Sequence, residues 1–330
     1  MIPTLLGITL INFTILQLAP GGPIESLIAR IRYSGVQTMS KASSVDQSYV
    51  SEDVILQLKK KYGFDKPLWK RYLIWLKNLI NLDFGESHIY GKKVIDVILS
   101  KVKVSFTYGA LSLVITYFIC IPWAYLNVLV PRTQGISSFI LFFFYSIPSY
   151  ILGIILIIIF ASGQYFSFFP MSGWMSLGLE DASLWEQFKD ISWHLVLPLI
   201  CLTIHQLAAL TLLFKRALLQ EGPKAYIITA QAKGYSYEEA MIKHGFRNAF
   251  MILLPSFSGL ILSFLGSNVL IEKLFNLDGL GKLFYDAALD RDYPLIMAQI
   301  VLSTVILLLI QLVIDFLYSW LDPRIRLGKS

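Results

Sequence analysis

Four histidines, His88, His194, His205 and His244, are the natural metal and proton-transfer residues of this sequence, and none has the neighbours such chemistry needs. They form no HExxH pair and no cluster with cysteine. Cys120 and Cys201 lie inside apolar runs without metal-ligand spacing, which reads as two buried structural thiols. The GLGK run at Gly279–Lys282 imitates the tail of a phosphate-binding loop, but its glycine spacing is wrong and Leu283 stands where a hydroxyl is required. Asp83–Phe84–Gly85 has the letters of a kinase magnesium triplet without the accompanying HRD or glycine-rich loop. No GxSxG and no paired intramembrane carboxylates occur. Asp315 is the clear ionisable group within an apolar span; it lies near one end and reads as a structural acid, with ion coupling as the alternative. No catalytic residue, metal site or bound cofactor is therefore expected in this chain. One charged stretch is left, AYIITAQAKGYSYEEAMIKHGFRNAF at Ala225–Phe250, between two long apolar segments.

The elements around that island define the protein class. Apolar residues make up 55% of the chain, charged residues only 15%, and the mean hydropathy is +0.62, which marks a membrane protein. The formal charge of +6 would suggest nucleic acid in a soluble protein; here its distribution between loops carries the information. Six segments are long and apolar enough to cross about 30 Å of hydrocarbon: about 1–19, 104–130, 138–160, 194–214, 250–271 and 295–319. The first lacks a basic leader and is followed by LAPGGP rather than a cleavage site, so it reads as a retained span. Pro122, Pro148, Pro198 and Pro255 fall within spans two to five and predict kinks.

Loop charge gives the orientation. Residues 161–193 carry Lys189 against Glu180, Asp181, Glu186 and Asp190, and 272–294 are likewise acidic on balance. Residues 215–249 instead carry six basic residues, Lys215, Arg216, Lys224, Lys233, Lys243 and Arg247; Arg132 and the tail's Arg324, Arg326 and Lys329 agree with them. The positive-inside rule places both termini and the 215–249 loop in the cytoplasm. The 20–103 loop has 14 basic residues but is too long to vote. It predicts structure of its own. Ser51 caps a helix that Gly63 and Pro67 stop, and Leu68, Trp69, Tyr72, Leu73, Leu76, Leu79 and Ile80 recur at helical spacing. Residues 34–50 read as a connection, and Val94–Val102 as a short helix along the membrane.

Within the island, the pattern predicts a helix over Tyr226–Lys233, a turn at Gly234 and a second helix from Ser236 with Glu238 and Glu239 in its first turn. Small side chains at such a corner admit another protein's surface closely. An ordinary basic interfacial loop is the plainer alternative.

The island closely resembles the cytoplasmic coupling loop of ABC-importer transmembrane subunits, in particular the dipeptide/oligopeptide/nickel permease family, whose pattern is YxxTAxAKGxxxxxxxxxHxxRNA. Tyr226, Thr229, Ala230, Ala232, Lys233, Gly234, His244, Arg247, Asn248 and Ala249 fall on it. The wider importer motif begins Glu-Ala-Ala; Ile228, Thr229 and Ala230 stand there, so the acidic residue is absent. QLAPGGP at 17–23, YSIPSYILG at 145–153, LDGLG at 277–281, RDYP at 291–294 and LDPRIR at 321–326 match family landmarks in order. The run at 61–87 is most similar to the branch importing oligopeptides and microcin C-type peptides. Relatives carry a short basic lead before the first span, whereas this sequence starts within it; either the start lies upstream of Met1 or this branch lacks the lead.

The resemblance implies an all-α polytopic protein of the type I ABC importer permease fold. Such a protein would have six transmembrane helices, a first at 1–19 and five in a core over 104–319 that includes the coupling loop 215–249, with an external periplasmic loop at 20–103 forming a small helical cap and a cytoplasmic tail at 320–330. It implies a homologous second permease subunit, two cytoplasmic ATP-binding subunits that hold ATP and magnesium, an external substrate-binding protein, a peptide substrate and a bacterial inner-membrane location, with no nucleic acid. A secondary transporter or channel is the alternative from another class; it would show midplane coupling ionisables and often inverted repeats, and neither is evident. An ABC permease for nickel or another small solute is the nearer alternative.

Overall fold

The structure is a computed structural model that describes residues 2–18, 66–263 and 268–321. In chain order the elements are α1 (Ile2–Leu18), α2 (Leu68–Ile80), α3 (Val94–Leu129), α4 (Gln134–Ser146), α5 (Ser149–Phe160), α6 (Leu184–Glu221) and α7 (Ala225–Ala232). There follow α8 (Tyr237–Ala240), a π-helical turn (Met241–Gly245), α9 (Phe246–Met251), α10 (Leu254–Ser263), α11 (Val269–Leu274), α12 (Leu280–Leu289) and α13 (Tyr293–Leu321). The fold is all-α and membrane-embedded. The helix expected from Ser51, the 34–50 connection, most of QLAPGGP and all but the first residue of LDPRIR lie outside the described residues.

Among the described residues, α3, α6 and α13 are each long and apolar enough to span a bilayer alone. The third apolar segment is not a kinked single helix: α4 and α5 meet at a 93° bend across Ile147–Pro148. Proline explains the break, because it pushes the preceding residue out of helical geometry and withholds an amide. Ile147 is accordingly extended, with φ −87° and ψ 118°, and α5 restarts at Ser149. By contrast Pro122 and Pro198 sit inside unbroken helices. The fifth apolar segment is also interrupted, by a turn at Ile252–Leu253 between α9 and α10. The expected separate helix at Val94–Val102 is instead the opening of α3, since no residue there breaks the helical run.

The chain divides into two compact units, one comprising residues 1–100 and 283–305, the other 101–282 and 306–330. In the first, α2 packs on α1 as its apolar spacing predicts. Tyr72 sits edge-on to Phe13 at 5.4 Å between ring centres and shares a 3.0 Å hydrogen bond with the Thr9 hydroxyl, while Arg71 donates to the Gln17 side chain. Asp292, fully buried ahead of α13, accepts from Ser87 Oγ at 2.6 Å and from the Ile89 amide at 3.1 Å. It thereby ties the RDYP landmark to the ESHIY turn. Trp69, one turn earlier on α2, is 61% exposed. Tyr72→Ala is expected to cost about 1–3 kcal/mol, a partly buried aromatic deletion, whereas Trp69→Ala should leave folding within about 0.5 kcal/mol. Thermal unfolding of the purified variants in detergent checks the difference; equal destabilisation would contradict this packing.

Two cores stand out among the described residues of the second unit. Tyr117, Cys120, Ala124 and Val128 of α3 pack with Leu210, Phe214, Ala217 and Leu218 of α6 and with residues of the charged island. Tyr108, Leu195, Leu197, Cys201, Leu202, Ile271, Phe275 and Leu277 form the other. Both cysteines are fully buried, as expected. Gly153 of YSIPSYILG is required by this second core: a Cβ there would collide with Leu274 and lie 3.4 Å from Cys201 Sγ.

Candidate functional site

The charged island is a folded corner mounted on α3 and α6. Ile227 and Ala230 of α7, Ala240 of α8, Met241 of the π turn and Ala249 of α9 are all buried in the first core, at 5% exposure or less. The π turn follows from that burial. Met241, Gly245 and Ala249 are buried at a spacing of four, which an α-helix would carry progressively around its axis. One wider turn, with i→i+5 bonds, pulls them back onto a single face. Gly245 permits it, since a Cβ there would sit 2.9 Å from Met241 Sδ and 3.6 Å from Ile227 Cδ1.

Gly234 closes α7. Its φ is +97°, its amide donates to Gln231 O at 2.9 Å, and the Tyr235 amide donates to Ala230 O at 3.2 Å. These two bonds with a left-handed glycine make a Schellman motif, which satisfies the carbonyls left over at a helix end. Two residues on, Ser236 starts α8 with a capping box: its amide donates to Glu239 Oε2 at 2.9 Å, and the Glu239 amide donates to Ser236 Oγ at 3.2 Å. The hydrogen bond from the Ser236 amide, and then that from its hydroxyl, hold the Glu239 carboxyl below its ordinary range. The contribution is present above the unfolded carboxyl's pKa and is lost as pH falls through the depressed value.

Three contacts fix this corner to the membrane helices. Buried Glu221, at the end of α6, accepts from Lys224 Nζ at 2.6 Å and from the Tyr226 hydroxyl, and Asn248 Nδ2 donates to that hydroxyl at 3.0 Å. Burial, and then the bond to Glu221, push the Tyr226 phenol up to about 12, so it stays protonated and donating. The Tyr125 hydroxyl of α3 donates to Glu238 O at 3.1 Å. Gly222 lies so close to Tyr237 that a Cβ would stand 2.7 Å from the phenol oxygen.

The residues singled out in the sequence thus separate into two groups. Tyr226, Ala230 and Asn248 hold the corner together from within. Thr229, Ala232, Lys233, Gly234, His244 and Arg247 are exposed. Tyr235 joins His244 and Lys243, with ring centres 6.3 Å apart and the lysine Nζ 4.4 Å above its ring. Sequence reasoning missed Glu221 and Tyr125. An acid ending the apolar run in an otherwise basic loop was the available signal for Glu221; Tyr125 offered none.

A second constellation surrounds the LDGLG landmark. Glu272 is 1% exposed; it accepts from Ser105 Oγ at 2.9 Å, from the Tyr108 hydroxyl and from the Lys282 amide at 2.6 Å. Ser105 Oγ in turn accepts from the Leu280 amide at 2.7 Å. A carboxylate so placed clamps the start of α12 to α3, and the Lys101–Asp278 ion pair lies on the same loop. Among the described residues no group of three or more His, Cys, Asp or Glu is arranged to hold a metal. Asp315 is exposed and accepts from Gln311 at 3.2 Å.

The described residues thus form an all-α membrane protein with a folded polar corner at 225–249. The chain belongs to the family of binding-protein-dependent transport system inner membrane components, which it matches over residues 117–327. It is 36% identical to the peptidoglycan transport system permease protein YejB of Agrobacterium fabrum, over 98% of this chain and 95% of that one. It is also 36% identical to the inner membrane ABC transporter permease protein YejB of Escherichia coli O157:H7, at the same coverage of 98% and 95%. The oligopeptide transport system permease protein AppB of Bacillus subtilis is 34% identical, over 98% of this chain and 96% of its own. Permeases of this family work with ATPase and substrate-binding proteins, and they are transport components rather than enzymes.

Proposed function

We propose that this chain is a pathway-forming subunit of an ATP-driven importer of short peptides, of the oligopeptide or microcin C-like kind. It pairs with a homologous permease subunit, and each subunit seats one cytoplasmic ATPase. The observation that carries the reading is the corner at 225–249: an exposed polar turn whose inner face is part of the same core as α3 and α6. A load applied to such a turn moves both helices as a body rather than being absorbed by a floppy loop. Closure of the ATPases on ATP therefore tilts the helices and opens the pathway outward, where a binding protein delivers the peptide. Peptide is favoured over nickel because the relatives named for a substrate, such as AppB, are permeases for oligopeptides or related solutes. Both termini and the 225–249 corner face the cytoplasm, and α2 belongs to an external cap that receives the binding protein through the exposed side of Trp69.

The test is reconstitution of the chain with its partner permease, ATPases and binding protein in proteoliposomes. Uptake of a labelled tripeptide is expected to require ATP and the binding protein together. Uptake driven by an ion gradient without ATP would overturn the reading in favour of a secondary transporter.

A further inference from the structure

His205 stands near the middle of α6, the longest apolar helix among the described residues, and has an unusual neighbour. It lies on α6, twelve residues after Trp193 and ten before Lys215, about 18 and 15 Å along the helix axis at 1.5 Å per residue. The amphipathic tryptophan and the lysine suit the two faces of a bilayer whose hydrocarbon is about 30 Å thick. His205 thus lies near mid-depth. The imidazole is exposed on this chain and stacks face to face on Tyr145, with ring centres 5.2 Å apart and planes 9° apart. Stacking occupies one face of each ring and leaves the edges, with the imidazole nitrogens and the phenol hydroxyl, available for hydrogen bonds.

Two physical constraints decide what those edges face. A histidine at mid-depth is costly against lipid, so such groups face the bundle interior or a water-filled space. The backbone beside it gives an independent argument. Tyr145 is the penultimate residue of α4, immediately before the 93° bend at Ile147–Pro148. Broken backbone at membrane depth is tolerated only where protein buries it or water reaches it. Ser146 and Pro148 are exposed on this chain, so its own helices do not bury the break. At the same level, adjacent Gln206 accepts from Thr116 of α3 at 3.3 Å, which extends the polar layer across to the helix carrying the first core.

We infer that His205 and Tyr145 form a contact point on the translocation pathway for the backbone of a passing peptide. The inference rests on the peptide-import reading. Peptides of different sequence share their amide groups, and an imidazole N–H and a phenol O–H donate to amide carbonyls whatever the side chains are. The stack fixes both rings before the peptide arrives, which lowers the ordering cost of a transient contact. A homologous subunit covering the pair as a dry interface is the competing occupant.

The experiment uses the full reconstituted complex carrying His205→Cys. The native cysteines, Cys120 and Cys201, are fully buried, so labelling reports position 205. A small hydrophilic thiol reagent is expected to modify the new cysteine in at least one nucleotide state, and a saturating tripeptide to slow that modification at least fivefold. Absence of modification in both the ATP-free and ATP-bound states, or modification that the tripeptide leaves unchanged, overturns the inference. His205→Phe and Tyr145→Phe keep the stack and remove only the polar edges, so they decide the matter if the cysteine variant fails to assemble. Each is expected to reduce tripeptide uptake at least tenfold; wild-type uptake by both overturns the inference. If the wild-type complex in the same vesicles takes up no peptide, the import reading itself falls. If it does, the outcome bears on His205 and Tyr145 alone.

Discussion

A Gly234→Val permease is expected to reach the membrane in normal amounts and to lose both peptide uptake and substrate-stimulated ATP hydrolysis. Gly234 has φ +97°, and a Cβ built on it meets nothing within 4 Å. The substitution therefore strains the turn without colliding with the chain itself, at a cost of about 1–2 kcal/mol for a non-glycine residue in left-handed geometry. That is small against a membrane bundle. On the proposed docking, however, the new side chain projects into the ATPase surface, and the strained turn shifts Lys233 and Tyr235 beside it. Lys233→Ala removes only an exposed charge and should cost less, by an amount that diminishes with salt. Ala230→Leu behaves oppositely. Ala230 is 5% exposed inside the first core, so added bulk overpacks the chain's own interior, at about 1–3 kcal/mol. It should lower the amount of folded protein before any effect on coupling. Uptake and stimulated ATPase activity in reconstituted complexes, set beside thermal unfolding, separate the three. Wild-type activity of Gly234→Val would return the corner to an ordinary basic loop.

The second large effect is expected at the LDGLG clamp. Glu272→Ala withdraws the acceptor shared by Ser105, Tyr108 and the Lys282 amide, all in a buried site. Leaving buried donors unpaired costs about 1–3 kcal/mol for each group that water does not reach. Glu272→Gln should be intermediate, because its amide nitrogen cannot accept from the donors that its oxygen does not reach. Gly279→Ala tests the same clamp from the other side: its Cβ would collide with the Glu272 carboxylate and with Ser105 Oγ. All three should lower the unfolding temperature in detergent, with Ala at 272 and Ala at 279 non-additive because they damage one contact. Additive losses would mean that the two residues act independently.

How far the sequence was legible varies with the kind of interaction. Apolar periodicity placed α2 and the apolar cores of α3, α6 and α13, because burial is a property of each residue's own side chain. The caps at Gly234 and Ser236 were equally readable, since turn chemistry is local. Pro148 marked a disturbance but not its size. Pro122 and Pro198 leave their helices intact while Pro148 stands at a 93° break, so a proline inside an apolar run does not by itself give the size of the bend. The π turn was hidden too: Met241, Gly245 and Ala249 are compatible with a plain helix until Ile227 is known to face them. In the candidate site, the motif residues were found as a list. Their division into the internal braces Tyr226, Ala230 and Asn248 and the exposed Thr229, Ala232, Lys233, His244 and Arg247 depends on tertiary contacts with α3, far away in sequence, and with the end of α6.

The central claim, that the 225–249 corner seats on an ATPase, is tested most directly by a photo-crosslinking amino acid at Ala232, which is exposed and adjoins Lys233 and Gly234. Irradiation of the assembled complex in the membrane is expected to give one dominant protein adduct, identified by mass spectrometry as the ATPase subunit, with a yield that changes on adding ATP. Adducts to lipid alone, or to the binding protein on the opposite side of the membrane, would contradict the account.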